Sequence, residues 1–540
     1  MTARLPANPQ PDQLPHQIEF EGWRVAWKGF LYLPGCHGGE ASARALVERM
    51  RRLGVGKGSC AARGTYWLCV QEPGGVTHHM VDPCGLMRVF VASGVLYEHY
   101  RDALVAQGLT LEAFDPDAII EFLNYGRFGA HFSHSSAVRA LSGAERFEVS
   151  SEGVGRVCAR PLPELGAHDG VSLTQAMEEL AGALQGKRVA VDLTGGLDSR
   201  LLVAALSAGQ VPFITGLSGA EHYTEFAQAE AVAARLDRPF VRYGHHLETL
   251  DDDLRRHSEL SQGLIDVVAT HRARCMQEAR VRDGVEVAVG GMGGEMINDF
   301  TFLQDVPFLW RQRADLERFW RLRLLSLTLP EALLAPRLRA HQRGLAERML
   351  SRLDGYRRSS AVATYLHVFY AHRMSAAAGA QLTAGARMGL SELAPLMDYD
   401  LYCGTVDLPL RQRIASAHHR GYIKAHAPQL AGLPSSTGMS LPTGLFGEVR
   451  DWIGFSRMFA YRAARKVEQK VRRRRLRQES PDHPELIPAV RRTGAARAAF
   501  SRLQRAEILA PELTLETLPN AWLGKVVSLG LLAEQLDEAS

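Results

Sequence analysis

The stretch "RVAVDLTGGLDSRLLVAALS", residues 188–207, constrains the chain more than any other. A short apolar β-run passes into Thr194-Gly195-Gly196-Leu197-Asp198-Ser199 and then, without a spacer, into an apolar helical run. Such a junction sets unsatisfied backbone N–H groups and the positive end of a helix dipole beside two hydroxyls and one carboxylate. It is an anion site, and Gly195 and Gly196 let the backbone approach a phosphate oxygen with no Cβ in the way. Thr194 and Ser199 can donate hydroxyls, and Asp198 is placed to hold Mg²⁺ against phosphate oxygens.

The same order of elements dictates the fold class. "RVAVDL", "VPFITGL", "PFVRYG" and "VEVAVGG" are apolar runs separated by helical segments from Leu173 onward, the signature of a parallel α/β sheet. Before them, from Trp23 to about Pro161, short alternating runs such as "WRVAWKGFLYL", "GTYWLCVQE" and "RFEVSS" are broken by Gly and Pro, as in an antiparallel sheet. After Ile297 helices dominate. A Gly/Ser/Pro-rich stretch near Pro442 precedes a basic tail centred on "KVEQKVRRRRLR". There Trp452, Phe455, Phe459, Ala463, Val467 and Val471 fall at helical spacing, with Arg472 to Arg475 at the far end. That pattern fits a docked helix with a solvated face, or contact with an anionic membrane surface. The expected division is a flexible lead over 1–22, a β-rich domain over 23–165, an α/β domain over 166–445 and a basic helical region over 446–540.

A chain of 540 residues is too long for one ordinary core, and a net charge of +4 gives no argument for nucleic acid. No run reaches the roughly 20 apolar residues of a membrane span, and the Pro-rich start lacks an apolar signal core, so a cytoplasmic location is expected. Seven scattered cysteines with no CxxC pair point to reduced thiols and away from zinc. His78-His79 and His418-His419 are adjacent pairs with no third ligand in spacing, which reads against a metal. "GVGKGS" at residues 54–59 lacks the Ser/Thr that must follow the lysine of a Walker loop and reads as a turn, and "GLSGA" at 216–220 lacks the last glycine of a nucleophile elbow.

"TGGLDS" resembles the "SGGxDS" pyrophosphate loop of the asparagine synthetase superfamily, which includes β-lactam synthetases and lasso-peptide cyclases. "EFAQAEAVAARLDRPFVRY", "GGMGGEMINDF" and "LSELAPLMDYDLYCGTVDLP" are similar to its later helix-strand, its second glycine-rich loop and its "PFLD" segment. "VDPCGLMRVFVAS", "EFLNYGRFG" and "VRALSGAERFEV" resemble its amidotransferase-like domain, a sandwich of the N-terminal-nucleophile type. The resemblance implies an ATP-pyrophosphatase domain that activates a carboxylate as an acyl-adenylate, with AMP and pyrophosphate released, for attack by ammonia or an amine. It implies ATP binding by Leu193, Thr194, Gly195, Gly196, Leu197, Asp198, Ser199, Leu217, Gly290, Gly291 and Gly293, and Mg²⁺ binding by Asp198 and Glu295. Glu295 stands where the family usually has aspartate, and Met296 interrupts the family's acidic pair. The family's catalytic lysine is matched best by Arg420 or Lys424. Position 2 holds Thr2 where the glutaminase has its cysteine, so a degenerate amidotransferase is expected. A small-molecule acid, a sugar acid and a peptide carboxylate closed into a macrolactam are all open as substrates. A degenerate nucleotide-binding protein without ligase activity is the alternative class.

Overall fold

A computed structural model describes residues 7–128, 133–162, 170–219, 225–244, 247–302, 313–325, 327–435, 441 and 485–539, with scattered positions between 449 and 464. Among the described residues nine strands precede residue 160: β1 (His16–Phe20), β2 (Trp23–Tyr32), β3 (Arg63–Gln71), β4 (Thr77–Val81), β5 (Phe90–Ala92), β6 (Val95–Tyr97), β7 (Arg139–Ala140), β8 (Glu145–Val149) and β9 (Gly155–Ala159). They form a six-stranded antiparallel sheet in the order β1-β2-β3-β4-β8-β9 and a three-stranded one in the order β6-β5-β7. Period-two alternation sorts the side chains of β3. Tyr66, Leu68 and Val70 pack on helix Glu40–Leu53 through Leu46, Val47 and Met50. Trp67 and Cys69 face Val91 and Leu96 of the smaller sheet. Both faces are covered, so the strand reads as an almost unbroken apolar run.

The second sheet is parallel. β10 (Val189–Asp192), β11 (Phe213–Ser218), β12 (Phe240–Tyr243), β13 (Val287–Val289) and β14 (Ser391–Leu393) lie in the order β12-β11-β10-β13-β14. The order reverses between β10 and β13, and a crevice opens at the carboxyl ends of strands at such a switch point. Helix Leu197–Ala208 leaves the end of β10 there, and Leu201, Leu202, Val203 and Leu206 are fully buried. Each contributes about 1.5–3 kcal/mol of apolar transfer. Three residues of "LSELAP" form the edge strand β14, too short to register as a periodic run.

The lead is shorter than its sequence suggests. Pro11–Gln13 forms a helical turn, Leu14 is buried beneath β3, and β1 pairs with β2 from His16 to Phe20. Asn8 exchanges two hydrogen bonds with Leu96, each of 2.8–2.9 Å. Apolar Leu14, Ile18 and Phe20 anchor a segment whose prolines suggested mobility. "GVGKGS" is a short helix, Val55–Gly58, rather than a turn. The C-terminal helices pack into the body of the protein. Helices Gly494–Arg505 and Asn520–Asp537 share one buried cluster with Phe122, Leu254, Trp320 and Leu366. The proposed boundary at 165 and the basic tail from Arg472 to Arg475 lie outside the described residues, as does Thr2. No disulfide links the seven cysteines.

Candidate active site

Two glycine loops meet at the switch point. The first follows β10 and is knitted by its own hydroxyls: Thr194 N donates to Ser199 Oγ at 3.1 Å, and Gly196 N donates to Thr194 Oγ1 at 3.1 Å. Thr194 Oγ1 and Ser199 Oγ are themselves 3.1 Å apart. These side chains therefore shape the loop, and no side chain caps the helix that begins at Leu197. Its first N–H groups and its dipole are left for a ligand. Leu193, Leu197 and Leu217 turn their side chains into the hydrophobic cluster beneath, so any nucleotide contact from them is made by backbone.

The second loop follows β13 and lies directly on the first. A Cβ at Gly294 would fall 2.1 Å from Asp198 Cγ, and one at Gly291 would fall 3.2 Å from Ser199 N. Gly290 approaches the carboxylate of Asp192, where a Cβ would lie 3.1 Å from Oδ2. Gly293 has φ of +98° and packs on the backbone of Leu396. Only glycine supplies both the left-handed backbone and the clearance there.

This packing brings Asp198 and Glu295 together. Burial and the charge of Asp198 push the Glu295 carboxyl above its ordinary range, with Arg373 opposing. Glu295 Oε2 is buried and has no hydrogen-bond partner among the described residues. A buried orphan carboxylate oxygen beside a second carboxylate is costly unless a cation joins them. The all-oxygen donor pair fits Mg²⁺, which takes one or two carboxylates and completes its shell with phosphate and water.

Asp198 has a further neighbour that sequence reasoning set aside. His419 is fully buried and its Nε2 lies 2.9 Å from Asp198 Oδ1. It is carried by helix Ala417–His426, which packs along helix Leu197–Ala208. The approach to that helix is strained, since Ala415 (φ +57°) and Ser416 (φ +52°) are both left-handed. Asp299 of the second loop holds this turn by accepting Ala415 N at 2.9 Å, and buried Arg413 donates to Met296 O at 2.8 Å. On the same helix Arg420 is half-buried, whereas Lys424, one turn further along, is exposed. Arg420 and Lys424 are four residues apart and so share one face of the helix, roughly 100° and 140° around it from His419.

The chain matches the family model for asparagine synthase over residues 173–475, more than half its length. The chain belongs to the asparagine synthase family. The match begins at helix Leu173–Ala183 and includes both glycine loops, the crevice between them and helix Ala417–His426. Membership places it among ATP-dependent, amide-forming carbon–nitrogen ligases in general, whose members use ATP, typically with Mg²⁺. Comparison with curated proteins returned no match. In this asparagine synthase family member the segment similar to "PFLD" is a domain bridge. Asp398 is half-buried, accepts Leu401 N at 3.0 Å and has its carboxyl pushed up to about 6 by desolvation, with Arg63 opposing. Arg63 comes from β3 of the antiparallel sheet, lies 4.0 Å from Asp398, donates to Asp400 at 3.0 Å and also pairs with Glu179. Among the described residues no helix is long and apolar enough to cross a membrane.

Proposed function

We propose that this asparagine synthase family member uses ATP to convert a substrate carboxylate into an acyl-adenylate, releasing pyrophosphate, and that ammonia or an amine then displaces AMP to give an amide. The observation that carries the reading is the Asp198–Glu295 pair, held by two interlocked glycine loops at an uncapped helix N-terminus. The helix N–H groups bind the β- and γ-phosphates as they separate as pyrophosphate, a leaving group whose charge must be balanced. Asp198 and Glu295 would hold Mg²⁺, which when bound neutralises phosphate charge and orients the reacting oxygens. Gly290 and Gly291 let the second loop close onto Asp192 and the first loop, so that their backbone can border the α-phosphate or ribose. Arg420 is the cation proposed for the developing charge at phosphorus, with Lys424 as the other candidate and Arg373 supplying a fixed charge near Glu295. The nucleophile is free ammonia, an amine on the substrate itself or ammonia from a partner, rather than ammonia from glutamine hydrolysed by this chain.

A second reading, a nucleotide binder without ligase activity, is favoured by the exposure of Lys424 and by His419 seated against Asp198. One assay separates the two. Purified protein with Mg·ATP, hydroxylamine and a panel of free amino acids, sugar acids and acidic peptides should release pyrophosphate and form a hydroxamate with one acid class. ATP binding with no pyrophosphate from any acid would leave the binder.

A further inference from the structure

Away from the nucleotide crevice, two packed helices turn ligand pairs toward each other. Helix Leu250–Ser261 carries Asp253 and His257, and helix Val267–Arg282 carries His271 and Cys275, each pair four residues apart and so on one face. Asp253 Oδ2 lies 3.7 Å from His271 Nε2, and Cys275 Sγ lies 3.7 Å from the same nitrogen. All three ligand atoms fall within 4.8 Å of one another. The Asp253–His271 separation exceeds an N–H···O hydrogen bond, which spans about 2.7–3.2 Å, while Cys275 Sγ, also 3.9 Å from His271 Nδ1, is within the longer reach of a weak sulfur hydrogen bond. Both separations from His271 Nε2 approach the roughly 3.3–3.7 Å between neighbouring ligands around a tetrahedral zinc ion with bonds of about 2.0–2.3 Å.

We propose that Asp253, His271 and Cys275 form a Zn²⁺ site that ties the two helices together. The donor mix decides the metal class: thiolate, imidazole and carboxylate together suit a borderline-soft ion, unlike the all-oxygen pair of Asp198 and Glu295. Asp253 and His271 are buried, while Cys275 is half-buried and borders a cavity of about 460 Å³ beneath the end of β12. The cavity supplies an entry path and room for a water in the fourth position. The carboxylate is already oriented, since Thr249 Oγ1 donates to Asp253 Oδ2 at 2.9 Å and Arg256 donates to Oδ1 at 2.7 Å. His257, with its ring centroid 5.4 Å from that of His271 and its Nε2 3.3 Å from Glu278, packs behind the triad. Supporting contacts of this kind fix the ligands of metal sites. Cysteine counting missed the cluster because only one of its ligands is a thiol and the ligands come from two helices.

The test is a Co²⁺ titration of the chelator-treated full-length protein, followed by displacement with Zn²⁺. The expected result is one tightly bound ion with a thiolate-to-cobalt charge-transfer band, bleached by Zn²⁺. Asp198→Asn should keep the band, because that residue belongs to the other site. Cys275→Ser, a near-isosteric change at a half-buried position, should lose the band and weaken Zn²⁺ binding at least tenfold with an unchanged circular dichroism spectrum. Absence of the band in the wild-type protein, or its persistence in Cys275→Ser, overturns the proposal. The wild-type titration decides the matter even if a variant folds poorly.

Discussion

His419 Nε2 and Asp198 Oδ1 stand 2.9 Å apart, one on the helix after the strained Ala415–Ser416 turn and the other in the first turn after β10. The contact is one of proximity, with neither ring nitrogen in hydrogen-bond geometry, and the buried imidazole limits where the carboxylate can swing. His419 is thus a positioning residue, acting through Asp198. His419→Gln, which keeps polar reach in a buried site, should lower kcat/KM by roughly 10- to 100-fold and raise the Mg²⁺ concentration needed for half-maximal rate. Steady-state kinetics across a Mg²⁺ series would check this, and an unchanged Mg²⁺ requirement would remove His419 from the site.

Asp198 and Glu295 should behave as a coupled pair. Asp198→Asn should reduce pyrophosphate release by on the order of 100- to 1,000-fold with the fold intact. Glu295→Asp should be tolerated, whereas Glu295→Gln should sharply raise the Mg²⁺ requirement. Because burial and Asp198 raise the Glu295 pKa, protons compete with the cation. Apparent Mg²⁺ affinity should therefore fall as pH drops toward the Glu295 pKa, and the effect should be lost in Glu295→Gln.

Gly294→Ala tests the loop contact sterically. The added methyl would sit 2.1–2.6 Å from the Asp198 carboxylate, too close for any real contact. Turnover should fall by on the order of 100-fold, since small misplacements of reacting groups cost that much. Thermal denaturation should show the fold retained, and wild-type turnover in this variant would break the two-loop description of the site.

The candidate cations differ in setting. Lys424 is exposed, so Lys424→Ala should leave kcat within about twofold, as most surface changes do. Arg420→Ala should depress kcat far more than ATP affinity if Arg420 meets the developing charge. A large kcat loss in Lys424→Ala alone would reverse the assignment.

A buried carboxyl on β14 gives a pH signature. Glu392 accepts from Gln277, and its pKa is pushed up from 4.5 to about 7 by burial, with Arg274 and Arg280 opposing and Asp192 adding to the rise. The folded state therefore holds this proton more tightly than the unfolded chain. The group's stabilising contribution is full below pH 4.5 and is lost as pH rises to about 7. Glu392→Gln should remove that slope, by on the order of a few kcal/mol between pH 5 and 8. Urea unfolding at the two pH values would show it, and parallel slopes in both proteins would contradict the buried-acid account.

The sequence by itself determined the first glycine loop with Asp198 as a candidate ligand, the parallel strands β10 to β13 and the antiparallel character of the first domain. These are local: periodicity, glycine clearance and a strand-loop-helix junction are written in contiguous residues, and family resemblance extended the reading to the second loop. Tertiary structure alone decided what contiguous residues cannot encode. The fold seats His419 on Asp198 and leaves Lys424 exposed one turn beyond half-buried Arg420, because the strained turn at Ala415 and Ser416 sets the direction of the helix. It also turns Asp398 into a bridge to Arg63, and it folds the C-terminal helices into the central core through contacts hundreds of residues apart. Asp253, His271 and Cys275 converge for the same reason. Each sits unremarkably on its own helix, and only the packing of one helix on the other brings three different donor atoms to one point.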